Sequence, residues 1–375
     1  MKVTLLQEKF RKGLEIVERI TGKSLTLPIL NNILVTAEKN FLNLAATDLE
    51  IGIKWWTLAK IEKEGKIVLP TRTLVNFISL LPNKKVEIEK KNLSLGISCD
   101  NYQTQIKGFP IDDFPIIPEI KKSDTLSLEN ISFCQSLNQV VDLPVSSPAR
   151  PEISGIYFKF QKNLITMAAT DSFRLGEKKI FSDTPLIEKG YSFILPQKTA
   201  KEIINIFGEK EGHLTIYFSP NQIMFEFLMS ETSHPQIQLI SRLIDGEYPD
   251  YQEIIPKKYE TQAILKKNEF LNQVKLASLF SGKINEVKFK INSKTQKIEV
   301  FSQNPEIGEY HSPLPGKIKG EPLEISFNHR FLIDGLLNIK SSEVIFELNG
   351  EGAPGVLKPV GDPSYIYVVM PIKTS

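Results

Sequence analysis

The chain is poor in the residues from which most active sites are built. Its 375 residues hold two cysteines, Cys99 and Cys134, and four histidines, His213, His234, His311 and His329. The two cysteines are read as reduced, buried thiols of a cytoplasmic protein rather than as a disulfide framework. The histidines are scattered without ligand spacing, so neither a metal site nor a cofactor is expected. No Gly-x-Ser-x-Gly elbow is present, and no Cys–His pair has local support. No glycine-rich phosphate loop joins a strand to a helix; Gly350, Gly352 and Gly355 fall in a predicted β-turn region. No apolar run approaches the ~18 residues that a membrane span takes. The start, Met1-Lys2-Val3-Thr4, lacks the apolar core of a signal peptide. Charge is nearly balanced, 46 basic against 44 acidic residues. Any binding of nucleic acid must therefore come from how charge is arranged, not from an excess.

What is present is a repeat. Ala45-Ala46-Thr47-Asp48 returns as Ala168-Ala169-Thr170-Asp171, 123 residues later. Each copy closes a short apolar segment and precedes a strand ending in Leu-Pro, at Leu69-Pro70 and Leu195-Pro196. A degraded third copy, Lys297 to Asn304, is followed by Ile325-Ser326-Phe327-Asn328 at the matching distance. The tetrapeptide alone is weak, but the order of surrounding elements agrees in all three copies. A helix is expected to open each unit, at Gln7 to Ile20, Leu128 to Val141 and Leu265 to Phe280. A second follows each strand landmark, at Thr71 to Leu81, Gln197 to Phe207 and His329 to Ile339. Alternating segments such as Val86-Glu87-Ile88-Glu89 and Leu214-Thr215-Ile216-Tyr217-Phe218 predict hairpins. Each unit then reads helix, hairpin, strand, helix, hairpin, strand. That predicts an α+β fold of three tandem similar domains, each with two helices on one face of antiparallel sheet. Two Pro-rich linkers, Phe114 to Lys122 and Tyr248 to Lys258, place the boundaries at 1–122, 123–256 and 257–375. Linkers of this kind make semi-rigid joints.

In the first helix Phe10, Leu14 and Val17 fall on one face, and Lys9, Lys12, Arg19 and Lys23 near another. Lys198 and Lys201, Lys266, Lys267 and Lys275, and Arg330 give weaker basic character at corresponding places. Alone, each run reads as a solvated face. Recurring through a repeat, they draw a basic band that would hold phosphate backbone without reading sequence. Asp48 and Asp171 admit an acid–base reading, as in a repeat-built hydrolase. The preferred reading is a turn cap, because the third copy carries Asn304, which keeps the turn chemistry and loses the charge.

These residues resemble the bacterial DNA sliding clamps, the beta subunit of DNA polymerase III. The likeness rests on Leu27-Pro28-Ile29-Leu30-Asn31-Asn32-Ile33-Leu34, Ala46-Thr47-Asp48-Leu49-Glu50, Asp112-Asp113-Phe114-Pro115, Ala169-Thr170-Asp171 through Arg174-Leu175, Ser241 through Tyr251, and Tyr367 through Lys373. These stretches span the chain in family order. The resemblance implies a non-enzymatic, ring-forming head-to-tail homodimer that encircles double-stranded DNA. It would tether the replicative polymerase and other replication and repair proteins for processive synthesis. The other reading of the same fold is an interaction scaffold that does not encircle DNA.

The resemblance also implies sites. DNA would meet Lys9, Lys12, Arg19, Lys23, Arg150, Lys198, Lys201 and Lys266. Polymerase and clamp loader would insert short peptides into a groove of Ile153, Thr170, Ser172, Phe173, Arg174, Leu175, Pro249, Ile254, Val368, Val369, Met370, Pro371 and Ile372. The subunit interface would join Thr104 and Ile106 to Leu279 and Phe280. The chain departs from the family at Ser172-Phe173, where Gly-His is frequent, and at Ala149, where glutamine is frequent. Near Thr104 the family residue is often larger and apolar.

Overall fold

The structure is a computed structural model, and it describes residues 1–22, 26–120 and 125–373. By contacts the chain divides into two compact units, Met1–Cys134 with Glu202–Leu243, and Gln135–Lys201 with Ile244–Ser375. Among the described residues there are six α-helices and four sheets, and every strand pair is antiparallel. No helix of the described residues is long and apolar enough to cross a membrane.

The helices are α1 (Gln7–Glu18), α2 (Thr71–Leu80), α3 (Asn130–Asn138), α4 (Gln197–Phe207), α5 (Lys267–Ser278) and α6 (His329–Asn338). The three opening helices are shorter than the sequence suggests, and each is preceded by a strand that was not expected. These strands are Lys2–Leu6, Thr125–Glu129 and Thr261–Lys266. Leu128 and Leu265 therefore belong to strands and not to helices. The cause is alternation: Leu126 and Leu128 are buried while Thr125, Ser127 and Glu129 are exposed. That pattern suits a half-buried strand, and pairing with His213–Phe218 supplies the hydrogen bonds. Each repeat thus opens with a strand, then a helix.

In the first unit, Phe10, Leu14 and Val17 of α1 are buried as the spacing predicts. The helix packs on α2 and on strands Phe41–Thr47 and Ile51–Leu58. Gly13 permits this approach: a Cβ there would lie 2.4 Å from the ring of Trp55. In the second unit, α5 packs on α6 and beside strands Lys297–Asn304 and Gly308–Pro315.

Sheet order follows one rule twice. The strand after each Ala-Ala-Thr-Asp copy pairs with the closing strand of the next repeat. Within the first unit, Ile51–Leu58 pairs with Pro235–Arg242 in an eight-stranded sheet. Within the second, Arg174–Phe181 pairs with Tyr365–Val369 in a nine-stranded sheet. The two halves of the middle repeat thereby belong to different compact units. Two strands of the same classes stay at sheet edges. Tyr102–Lys107 ends the five-stranded sheet, and Gly308–Pro315 ends the four-stranded one.

Candidate functional site

The repeated Thr-Asp is a turn built by side chains. In the second unit, Asp171 Oδ1 accepts from the backbone N–H groups of Phe173 (3.0 Å) and Arg174 (2.9 Å). Thr170 Oγ1 donates to the Arg174 carbonyl at 2.7 Å and accepts from Ser172 N–H at 3.1 Å. The turn holds Ser172 at φ +76°. In the first unit, Asp48 Oδ1 accepts from Glu50 (3.0 Å) and Ile51 (2.7 Å), and Leu49 also sits at φ +76°. Asn304 keeps one such bond, from Glu306 N–H at 2.9 Å. Each carboxylate is thus engaged by its own turn, as Asx chemistry predicts.

The turn presents a short apolar strip. Phe173 is 62% exposed and Met370 36%, and Met370 N–H donates to the Phe173 carbonyl at 2.8 Å. Ile254 and Ser172 are also exposed. Thr170, Arg174, Pro249, Pro371 and Ile372 are half-buried. Ile153, Leu175, Val368 and Val369 are buried. Leu175 and Val368 join Ala168, Tyr251 and Val356 in one cluster beneath the strip. So Val368 supplies the floor and Met370 the surface, while Val369 is buried on the other face of its strand. Beneath it, buried Glu177 accepts from the Tyr251 hydroxyl at 2.7 Å and pairs with Lys179 at 2.8 Å. Burial, then the Glu177 contact, pushes the Tyr251 hydroxyl pKa upward.

Two neighbours on α6 escaped the sequence reading. Phe331 stacks on Phe173 with ring centres 6.3 Å apart, and the Arg174 guanidinium lies 4.8 Å over Phe331. Arg174 is bonded by Asp171 (2.9 Å) and by Asp334. Burial opposes its charge, but Tyr367, Asp334 and Asp171 together raise its pKa. With two carboxylates on it, Arg174 orders the strip rather than offering a free cation. Phe331 and Asp334 lie about 160 positions from the turn, and no local motif points to them.

The basic candidates are mostly paired. Lys9 meets Glu231 (3.8 Å), Lys12 meets Glu8 (2.6 Å) and Arg19 meets Glu202 (2.6 Å), all in the first unit. In the second, Arg150 meets Glu152 (3.2 Å), Lys201 meets Asp142 (2.9 Å) and Lys266 meets Glu269 (2.9 Å). Lys198 lies in the first turn of α4. Lys23 lies outside the described residues. Exposed pairs of this kind are individually weak, so a phosphate can exchange with the acid.

Of the expected interface residues, Thr104 is half-buried and Ile106 is buried in its own sheet. Leu279, at the end of α5, is 64% exposed. Phe280 stacks on Tyr310 of the edge strand, with ring centres 6.1 Å apart. The sequence reading missed Leu80, which is 83% exposed at the end of α2. Both cysteines are buried and free, and burial, with Glu129 next, pushes the Cys134 thiol up to about 12.

Three family models match the chain: the N-terminal domain of the DNA polymerase III beta subunit over residues 1–118, its central domain over 128–250 and its C-terminal domain over 252–373. The Beta sliding clamp of Staphylococcus aureus (strain Mu50) is 28% identical over 385 residues, covering all of both chains. The DNA polymerase sliding clamp of Bacillus subtilis has a crystal structure similar to this one, with TM-score 0.94 and 26% identity over all of both chains. The beta subunit from Thermotoga maritima matches over the same full extent with TM-score 0.91 and 24% identity. The chain belongs to the DNA polymerase III beta subunit family, the bacterial sliding clamps.

Proposed function

We propose that the chain acts as a DNA sliding clamp, a head-to-tail homodimer that closes around duplex DNA and tethers the replicative polymerase. The observation that carries this reading is the strand rule. Two junctions between repeats use the same pairing, of the strand after the Ala-Ala-Thr-Asp copy with the closing strand of the next repeat. One strand of each class is left at an edge, Gly308–Pro315 and Tyr102–Lys107. An exposed edge invites pairing with another chain. A second copy supplies each edge with its complement, and a heterologous contact that closes yields a ring. Leu279 is exposed beside Phe280, which stacks on Tyr310 of one of these edges, and α2 ends in exposed Leu80.

The division at 1–122, 123–256 and 257–375 is supported by the spans of the three family models. The paired surface cations support a topological hold over a tight one, since weak backbone attraction permits sliding. Such a tether needs no active site; the family is one of processivity factors, and both repeat carboxylates are spent on turns. The strip around Phe173 and Met370 would take the short peptides of polymerase and clamp loader. The Phe173–Phe331 stack there favours an apolar or aromatic peptide side chain. This work belongs in the cytoplasm, with the chromosome.

The test is retention of loaded protein on nicked circular DNA before and after linearisation. Escape from the linear form alone is the expected result. Equal retention on both would overturn encirclement and favour the scaffold that does not enclose DNA.

A further inference from the structure

Internal symmetry provides a control for one polar position. Lys54 pairs with Ala45, and Glu177 pairs with Ala168, at the same place in two repeats. In the second unit that place is sealed: Glu177 is buried and held by the Tyr251 hydroxyl and Lys179. In the first unit it is open and its charge is reversed. Lys54 is half-buried, and among the described residues no carboxylate lies within ion-pair distance of it. Burial lowers its pKa, and Glu119 raises it from a distance without contact.

Lys54 opens into a cavity of about 670 Å³ within the first unit. Phe41 and Trp56 form one wall, and His234 stacks on Phe41 with ring centres 3.9 Å apart. Ile116, from the linker, also lines the cavity and is 92% exposed. A desolvated cation beside an apolar wall selects a carboxylate that carries apolar bulk. Lys39 and Lys66 line the cavity with Lys54, but Glu38, Asp112 and Glu119 line it too, so a single carboxylate suits it better than a polyanion. Like charges in one site repel.

We propose that this cavity is a second docking site, for a linear peptide segment of a partner protein. The segment places an Asp or Glu carboxylate on Lys54 and an adjacent aromatic or aliphatic side chain against Phe41, Trp56 and Ile116. The Lys54 ammonium then gains the partner that Tyr251 and Lys179 give Glu177 in the other repeat. The site is separate from the Phe173–Met370 strip and stands or falls without it.

The test uses the full chain and the probe acetyl-Phe-Glu-Leu-amide, followed by tryptophan fluorescence, with acetyl-Phe-Gln-Leu-amide as the neutral control. The expected result is a saturable change that weakens tenfold or more with the neutral probe and with Lys54→Met. Ile116→Ser alters an exposed side chain without touching the core, and weakens binding several-fold. Met370→Lys, in the second unit, leaves it unchanged. The proposal is overturned if both probes bind alike, if Lys54→Met binds as the parent does, or if no saturation is seen. It is also overturned if Met370→Lys abolishes the signal, which would put the probe on the other strip. Displacement of the peptide by oligo-dT, dependent on Lys54, would assign the cavity to nucleic acid instead.

Discussion

Asp171 offers the sharpest separation between a structural and a chemical role. Its side chain accepts two backbone N–H bonds, from Phe173 and Arg174, and one from Arg174 Nε at 2.9 Å. Asp171→Ala orphans both N–H groups at the start of the half-buried strand Arg174–Phe181. Bonds to a charged acceptor are worth about 1.5–3 kcal/mol each, less where water can replace the lost acceptor. Arg174 retains Asp334, so its charge is not left alone. The sum is a loss of about 3 kcal/mol. Asp171→Asn keeps an oxygen for the turn and forfeits only the charge toward Arg174, a loss of about 1 kcal/mol. Asn304 occupies the corresponding place in the third repeat and still holds its turn. With a urea slope of about 3 kcal/mol/M, Asp171→Ala should move the midpoint of the affected transition down by about 1 M, and Asp171→Asn by about a third of that. The assay is urea unfolding followed by circular dichroism, with retention on circular DNA measured in parallel. A shift below about 0.5 kcal/mol for Asp171→Ala would refute the turn-cap argument. Full stability with lost retention in Asp171→Asn would refute the purely structural role.

Two further outcomes follow from the same geometry. Leu279→Lys should convert dimers to monomers in sedimentation velocity, since it forfeits about 2 kcal/mol of apolar burial and adds an unpaired charge to the contact; an unchanged dimer would discard this helix end as an interface. His329 opens α6, is buried, and its Nδ1 has no hydrogen-bond partner among the described residues. Burial, then Arg330, lowers its pKa below 6.5, so the unfolded chain binds the proton more readily. Its share of stability is therefore present above about pH 6.5 and is lost as pH falls from there toward the folded-state value. Urea midpoints at pH 7.5 and 5.5 should differ less in His329→Gln than in the parent, and equal differences would show that His329 is not the titrating group.

The sequence by itself determined what is local or repeated. Phe10, Leu14 and Val17 could be assigned to a core because helical spacing brings them together without help from the rest of the chain. The Thr-Asp turn was legible because its donors and acceptors lie within five residues of one another. The opening strands were missed because each is short and runs directly into a helix, so its alternation was absorbed into the helical pattern. Tertiary structure alone decided three things. It paired Ile51–Leu58 with Pro235–Arg242, a long-range choice that side-chain alternation does not encode. It buried Val368 and Val369, neighbours on opposite faces of a strand covered on both sides, and left Met370 at the surface just past the strand's end. It gave Arg174 two carboxylates and, among the described residues, left Lys54 with none within ion-pair distance. A charged side chain's partner depends on which distant elements the fold brings within about 4 Å, and that distance is set only when the sheets close.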